Sequence, residues 1–263
     1  LGHTNFDLEW VSVYTFQCCR IPRFVEGRVV FAGDSAHQVS PFGARGANSG
    51  VQDAENLAWK LALVLAGEAP ESLIETYHTE RSAAADENIG HSTRSTDFIS
   101  PRSPFERSLR NAVLDLAREQ PFARRMVNSG RLSVATVYDS PLSTPDTDAF
   151  AGSAHLGAPL PDCPMRTAKG EDTHLLNAIG DGFTVLYVRD GGRPNSVEGA
   201  SLCVVGDDVL DSQGLFQRRM DATPGSTYVV RPDQHLAARF RSFDADRVAA
   251  AIARASGRAG APH

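Results

Sequence analysis

The residues that could do chemistry cluster between Gly33 and Gly50, in GDSAHQVSPFGARGANSG. Gly33-Asp34 follows the β-branched and aromatic run Val29-Val30-Phe31, so Asp34 stands at the carboxyl end of a strand as a short acceptor for a sugar-like hydroxyl. The loop Pro41-Phe42-Gly43-Ala44-Arg45-Gly46 comes next. Gly43 and Gly46 permit positive φ and let a ligand approach the backbone. Ala47-Asn48-Ser49-Gly50 then opens a helix, whose first N–H groups and positive dipole end face the loop. A helix N-terminus of this kind takes a negatively polarised ligand atom. One carboxylate beside one set of free amides suits a ligand that carries both hydroxyls and an electron-poor ring. Arg45 reads as a solvated loop residue, with positive charge beside the ligand as the alternative, and His37 reads as a packing residue that hydrogen-bonds without catalysing.

Other reactive residue types carry no comparable pattern. Cys18 and Cys19 are vicinal and point to opposite faces of an extended chain, which disfavours a bridge between them. Cys163 and Cys203 stand alone, and there is no CxxC. His155, His174 and His235 have no ligand spacing, so no metal site is expected. No catalytic acid or base is assigned.

The elements that must position these groups follow from periodicity. Val29 to Phe31 suits a strand covered on both faces. Val51, Ala54, Leu57, Ala58, Leu61, Val64 and Leu65 recur at helical spacing and predict one apolar face, with Gly67 as the C-terminal stop. Trp10 to Cys19 reads as a strand, with Tyr14 and Phe16 on one face. A second helix runs from about Pro70 to about Asn88, and the polar stretch Ser92 to Ser103 reads as an irregular connection. Pro104 and Pro121 open a third and a fourth helix. Residues 1–138 form a first domain and 139–160, rich in Pro, Ser, Thr, Asp and Gly, a linker. Residues 161–257 form a second domain, with 258–263 as a tail. In the second domain Phe183–Val188 and Ser201–Val205 are strands, and Leu215–Met220 is a helix. Thr227–Arg231 and Leu236–Phe240 form a hairpin, and Asp244 caps a last helix. The fold class is α/β, a helical portion followed by a thioredoxin-like unit.

The 263 residues are enough for two ordinary domains. A net charge of −6 with scattered basic residues argues against nucleic acid and anionic membrane as partners. No apolar run reaches membrane-spanning length and no secretory leader is evident, so a cytoplasmic location is expected.

Gly33-Asp34-Ser35-Ala36-His37, Pro41, Gly43, Gly46, Asn48, Asp53 and Asn56-Leu57 with Trp59-Lys60-Leu61 resemble the second FAD motif of the class A flavoprotein monooxygenases. These are the aromatic-ring hydroxylases, among them para-hydroxybenzoate hydroxylase and phenol hydroxylase. The resemblance implies that Asp34 binds the ribityl chain of FAD, beside Gly33. It implies that Gly43 and Gly46 shape the flavin loop, and that the Ala47 and Asn48 amides face the flavin pyrimidine edge. Pro41 would lie beside the substrate ring. The implied reaction hydroxylates a small aromatic, phenolic substrate with NADH or NADPH and O2 through a C4a-hydroperoxyflavin. The hairpin YVVRPDQHLAARF is similar to the C-terminal domain of the phenol hydroxylase branch, which serves assembly and makes a homodimer an expectation.

The family's strand–GxGxxG–helix unit for the ADP half of FAD does not occur here. The expectation is therefore a fragment of such an enzyme, inactive by itself and weak or silent toward FAD. Two other readings stay open: a non-enzymatic dimerisation or scaffold remnant, and a thiol oxidoreductase.

Overall fold

The computed structural model describes residue 7 and residues 9–41, 44–127 and 135–259. The first third holds four two-residue strands. β1 (Cys19–Arg20) is followed by β2 (Val25–Glu26), β3 (Val29–Val30) and β4 (His37–Gln38). β1 pairs antiparallel with β4, and β2 with β3. Gly33–Ser35 form a 3-10 turn between β3 and β4.

Two expectations fail here. The strand at Val29 to Phe31 is not covered on both faces: Val29 is 56% exposed and pairs only with β2 among the described residues. Trp10 to Cys18 forms no ladder, and Trp10, Val13, Tyr14 and Phe16 are exposed. Alternating β-formers make a strand only where a neighbour satisfies their N–H and C=O groups. No such neighbour stands among the described residues, apart from the short pairing of β1.

Four helices follow: α1 (Arg45–Leu65), α2 (Leu73–Ile99), α3 (Pro104–Ala117) and α4 (Pro121–Val127). α2 runs eleven residues past Asn88, through the stretch expected to be irregular. The polar residues there bond to the helix's own carbonyls. Ser95 Oγ donates to the His91 carbonyl, Thr96 Oγ1 to the Ser92 carbonyl and Arg94 Nε to the Gly90 carbonyl. Ser92 Oγ also meets Ser40 Oγ, which docks this end of α2 on the loop after β4. α3 begins with the reciprocal cap of Ser103 and Glu106.

The second part is a seven-stranded mixed sheet. Its strands are β5 (Pro164–Thr167), β6 (Asp172–His174), β7 (Phe183–Val188), β8 (Ala200–Val205), β9 (Val209–Leu210), β10 (Thr227–Val230) and β11 (Leu236–Phe240). The spatial order is β11-β10-β7-β8-β9-β5-β6, and β7 and β8 are the central parallel pair. The helices are α5 (Leu215–Met220) and α6 (Ala245–Ala255), the latter capped by Asp244. Side chains alternate across the sheet. Leu186, Tyr228 and Val230 pack with Phe216 and Met220 of α5. Val185, Val229 and Phe240 pack on the other face with Val248 and Ile252 of α6. The result is an α/β/α sandwich, the layering expected of a thioredoxin-like unit.

Trp59 of α1 and Leu73 of α2 belong to that second core, so the helical part and the sheet share buried surface. Residues 139–160 lie packed along β11. The Thr144 amide donates to the Ala237 carbonyl, Gly157 to Leu236 and Leu160 to Gln234.

Candidate functional site

The Gly33–Ser35 turn sits against α1. Gly33 has φ +57, and a Cβ on Gly50 would lie 3.7 Å from the Gly33 Cα, so the two glycines let turn and helix approach closely. Asp34 projects from this turn and is exposed. α1 starts at Arg45, two residues before the expected opening at Ala47. Its N-cap is Ala44, with φ 51 and no side chain capping the first turn. The left-handed position is thus Ala44, and Gly46 lies inside the helix without positive φ. That overturns the expectation that Gly46 supplies a left-handed turn; the helix simply begins earlier. By helix geometry the amides left open are those of Arg45, Gly46 and Ala47, while the Asn48 amide sits where the ladder returns to Ala44. The Asn48 side chain donates to the Ala44 carbonyl at 2.8 Å. Ala47, Asn48 and Pro41 are exposed, and Gly43 lies outside the described residues.

These residues fit the isoalloxazine and ribityl part of a flavin. An exposed carboxylate and an uncapped end of a 21-residue helix stand on two elements joined by direct backbone approach. The first turn of that helix carries no acidic residue to compete for its amides.

Beneath the turn lies a buried polar network. Asp53 of α1 is fully buried. Its Oδ2 accepts from the Gly33 amide at 2.8 Å and lies 2.7 Å from His37 Nε2, and its Oδ1 accepts from Arg81 Nε at 2.6 Å. Burial pushes this carboxyl up, but His37, Arg81 and the Gly33 amide outweigh it and hold it below its ordinary value. Arg81 also donates to Tyr138 Oη at 2.8 Å and to the Ser49 carbonyl at 3.2 Å. His37 stacks on Phe24, and its Nδ1 is buried with no partner. The expectation that His37 packs and bonds agrees with this geometry.

A second cluster joins the helices to the sheet. Glu80 of α2 accepts from Arg231 at 2.7 and 2.9 Å, from Lys60 Nζ at 2.8 Å and from Asn56 Nδ2 at 2.7 Å. Arg231 Nε donates to Asp233 at 2.9 Å, and its guanidinium lies 5.2 Å from the centre of the Trp59 ring. Burial drives Lys60 down to about 8 against the pull of Glu80. Burial alone would raise Glu80, but the charges of Arg231 and Lys60 hold it well below the usual carboxylate range.

This inverts the expected face of α1. The buried side carries Ser49, Asp53, Asn56, Trp59 and Lys60, while Val51 is 68% and Leu65 82% exposed. Paired charges replace apolar contact there, and hydrophobic spacing does not register them. Asp53, Asn56 and Lys60 at i, i+3 and i+7 were the available signal: three polar residues on one stripe.

The thiols are dispersed. Cys163 and Cys203 are buried, Cys203 in β8 and Cys163 just before β5. Among the described residues no group of three or more His, Cys, Asp or Glu could hold a metal, and no helix is long and apolar enough to cross a membrane.

Residues 3–92 match the family model described as the FAD binding domain. The chain is 32% identical to 4-methyl-5-nitrocatechol 5-monooxygenase of Burkholderia sp over 274 aligned residues, covering 95% of this chain and 47% of that protein. It is 49% identical over 87 residues to a flavin-dependent monooxygenase of Mycobacteroides abscessus, covering 33% of this chain and 18% of that protein. In fold it is similar to the flavin-dependent monooxygenase PieE, whose crystal structure is a complex with FAD and substrate. That likeness has a TM-score of 0.72 at 22% identity and covers 93% of this chain and 50% of the other. The chain is similar to FAD-dependent aromatic and polyketide monooxygenases, and it spans about half the length of the curated relatives it matches.

Proposed function

We propose that this chain supplies the flavin-edge part of an FAD-dependent monooxygenase that hydroxylates a small aromatic, phenolic substrate with NADH or NADPH and O2. The observation that carries this reading is the pairing of exposed Asp34 with the uncapped first turn of α1, inside the segment that matches the FAD binding domain. When bound, FAD would relay the two electrons of NADH or NADPH and supply the oxygen activation for ring hydroxylation. The chain's residues orient it. Asp34 accepts from ribityl hydroxyls, and Gly33 lets the turn lie close to α1. Gly43 leaves the loop without a side chain, Gly46 does the same for the first turn of α1, and the open amides of Arg45, Gly46 and Ala47 offer preorganised donors to an electron-rich pyrimidine edge, Ala47 alone remaining of the expected Ala47 and Asn48 pair. Pro41, exposed at the mouth of the loop, stands beside the aromatic substrate.

A protein with this role works in the cytoplasm, and its sheet unit, residues 161–257, serves assembly, including a homodimer. Exposed apolar residues on α3 and α4 (Phe105, Leu109, Phe122 and Met126) support an assembly role. Titrating purified chain with FAD tests the reading. A perturbed visible flavin band that saturates supports it; FAD retention left undiminished by Asp34→Ala in the full-length enzyme contradicts it.

A further inference from the structure

We propose that Asp53 is the positioning residue of the cofactor turn, a clamp that fixes where Asp34 points. The inference rests on Asp34 as the cofactor contact, but the clamp itself is a property of the chain alone.

Asp53 Oδ2 touches both flanks of Asp34: the Gly33 amide before it at 2.8 Å and the His37 ring after it at 2.7 Å. The intervening turn is closed on itself. The Ala36 amide donates to the Gly33 carbonyl at 2.9 Å, and Ser35 Oγ donates to the Ala32 carbonyl at 2.8 Å. Those bonds set its shape and leave its placement on α1 to Asp53. The carboxylate is held from the other side, because Arg81 Nε donates to Oδ1 at 2.6 Å and Arg81 is itself held by Tyr138 and the Ser49 carbonyl. Gly50, one turn before Asp53 on the same face of α1, leaves the space into which the turn settles.

Both carboxylate oxygens accept from N–H donors. An amide at this position must set its NH2 group against either Gly33 or Arg81, so Asp53→Asn keeps the shape and breaks the clamp.

Amide hydrogen exchange followed residue by residue tests this. In the unmodified chain the Gly33 amide is protected. In D53N, Gly33, Asp34 and Ser35 exchange at least about tenfold faster, while Leu57 to Leu61 of α1 stay within about twofold. Unchanged exchange at Gly33, or equal acceleration along all of α1, overturns the clamp. Should D53N fail to fold, Arg81→Lys replaces the planar fork by a point charge and is read by the same amides against the same criteria.

FAD titrations of D53N, D34A and the double variant form the second arm. The clamp predicts that D53N weakens binding and adds nothing once Asp34 is gone. Losses that simply add overturn it. Where the chain alone is too weak toward FAD to titrate, the same three variants are titrated in the full-length enzyme, and the exchange result decides the clamp independently.

Discussion

Arg231 and Glu80 lie 151 residues apart in sequence and meet as a fully buried two-pronged ion pair, at 2.7 and 2.9 Å. Arg231 directly follows β10 at the start of the hairpin turn, and Glu80 sits within α2. Their contact ties the sheet to the helical part of the chain. Replacing Arg231 with Gln leaves Glu80 buried beside Lys60 with one counter-charge lost. The expected cost is about 3–5 kcal/mol, because breaking one side of a buried pair strands the other. Urea denaturation read by far-UV dichroism and by Trp59 fluorescence checks it. Both probes shift together if the helices and the sheet unfold as one unit.

Glu80 also sets an acid limit. Its folded carboxyl stays ionised far below its ordinary value of 4.5, so the unfolded chain takes up the proton first. The stability this contributes is fully present above about pH 5 and drains away as pH falls below about 4.5 toward the folded value. Asp233 is held low by the same guanidinium and acts in the same direction. Stability measured from pH 7 to pH 3 therefore falls with a steep acid limb. E80Q, less stable at neutral pH, shows a shallower one.

Gly157 marks where the connecting segment crosses under Tyr138. It has φ +74, and a Cβ there would lie 2.0 Å from the Tyr138 carbonyl oxygen. Gly157→Ala adds backbone strain to a clash, with an expected loss of about 2–5 kcal/mol. The denaturation midpoint drops while the slope is kept. Wild-type stability in this variant would mean that the segment does not pack as described.

The thiols give an independent check. Burial pushes Cys203 up to about 11, and Cys163 is raised by the same cause despite Arg219 beside it. Cys19 is exposed. Titration with a disulfide reagent at pH 8 labels Cys19 within the mixing time, while Cys163 and Cys203 wait for denaturant. Rapid labelling of Cys163 in the folded chain would revive the thiol oxidoreductase reading.

Much of the fold was legible from local pattern. β7, α5, the hairpin of β10 and β11, and the Asp244 cap of α6 follow directly from apolar runs, turn residues and a capping acid. β5, β6 and β9 were missed because they are two to four residues long and carry no two-residue alternation. The turn at Gly33-Asp34 and its place beside a glycine-rich helix start were visible. Asp53 and Asn56 were legible as polar anchors of the helix, but their partners Glu80, Arg81 and Arg231 were not, because these are buried through pairing and charge in a sequence reads as surface. The long second helix was cut short for the related reason that Ser92, Ser95 and Thr96 read as loop until their hydroxyls find helical carbonyls.

The direct test of the proposed flavin cradle uses riboflavin, since the proposal assigns Asp34 and the first turn of α1 only the ring and ribityl parts of FAD. Amide spectra of the chain are recorded as riboflavin is added, for wild type and D34A, with ADP as a control. The account predicts shifts confined to Gly33–Ser35 and Arg45–Ala47. It predicts affinity weakened in D34A by about 1–3 kcal/mol, the worth of one or two hydrogen bonds to a charged acceptor, and no response to ADP. Shifts elsewhere in the chain, or a riboflavin response identical in D34A, would contradict it.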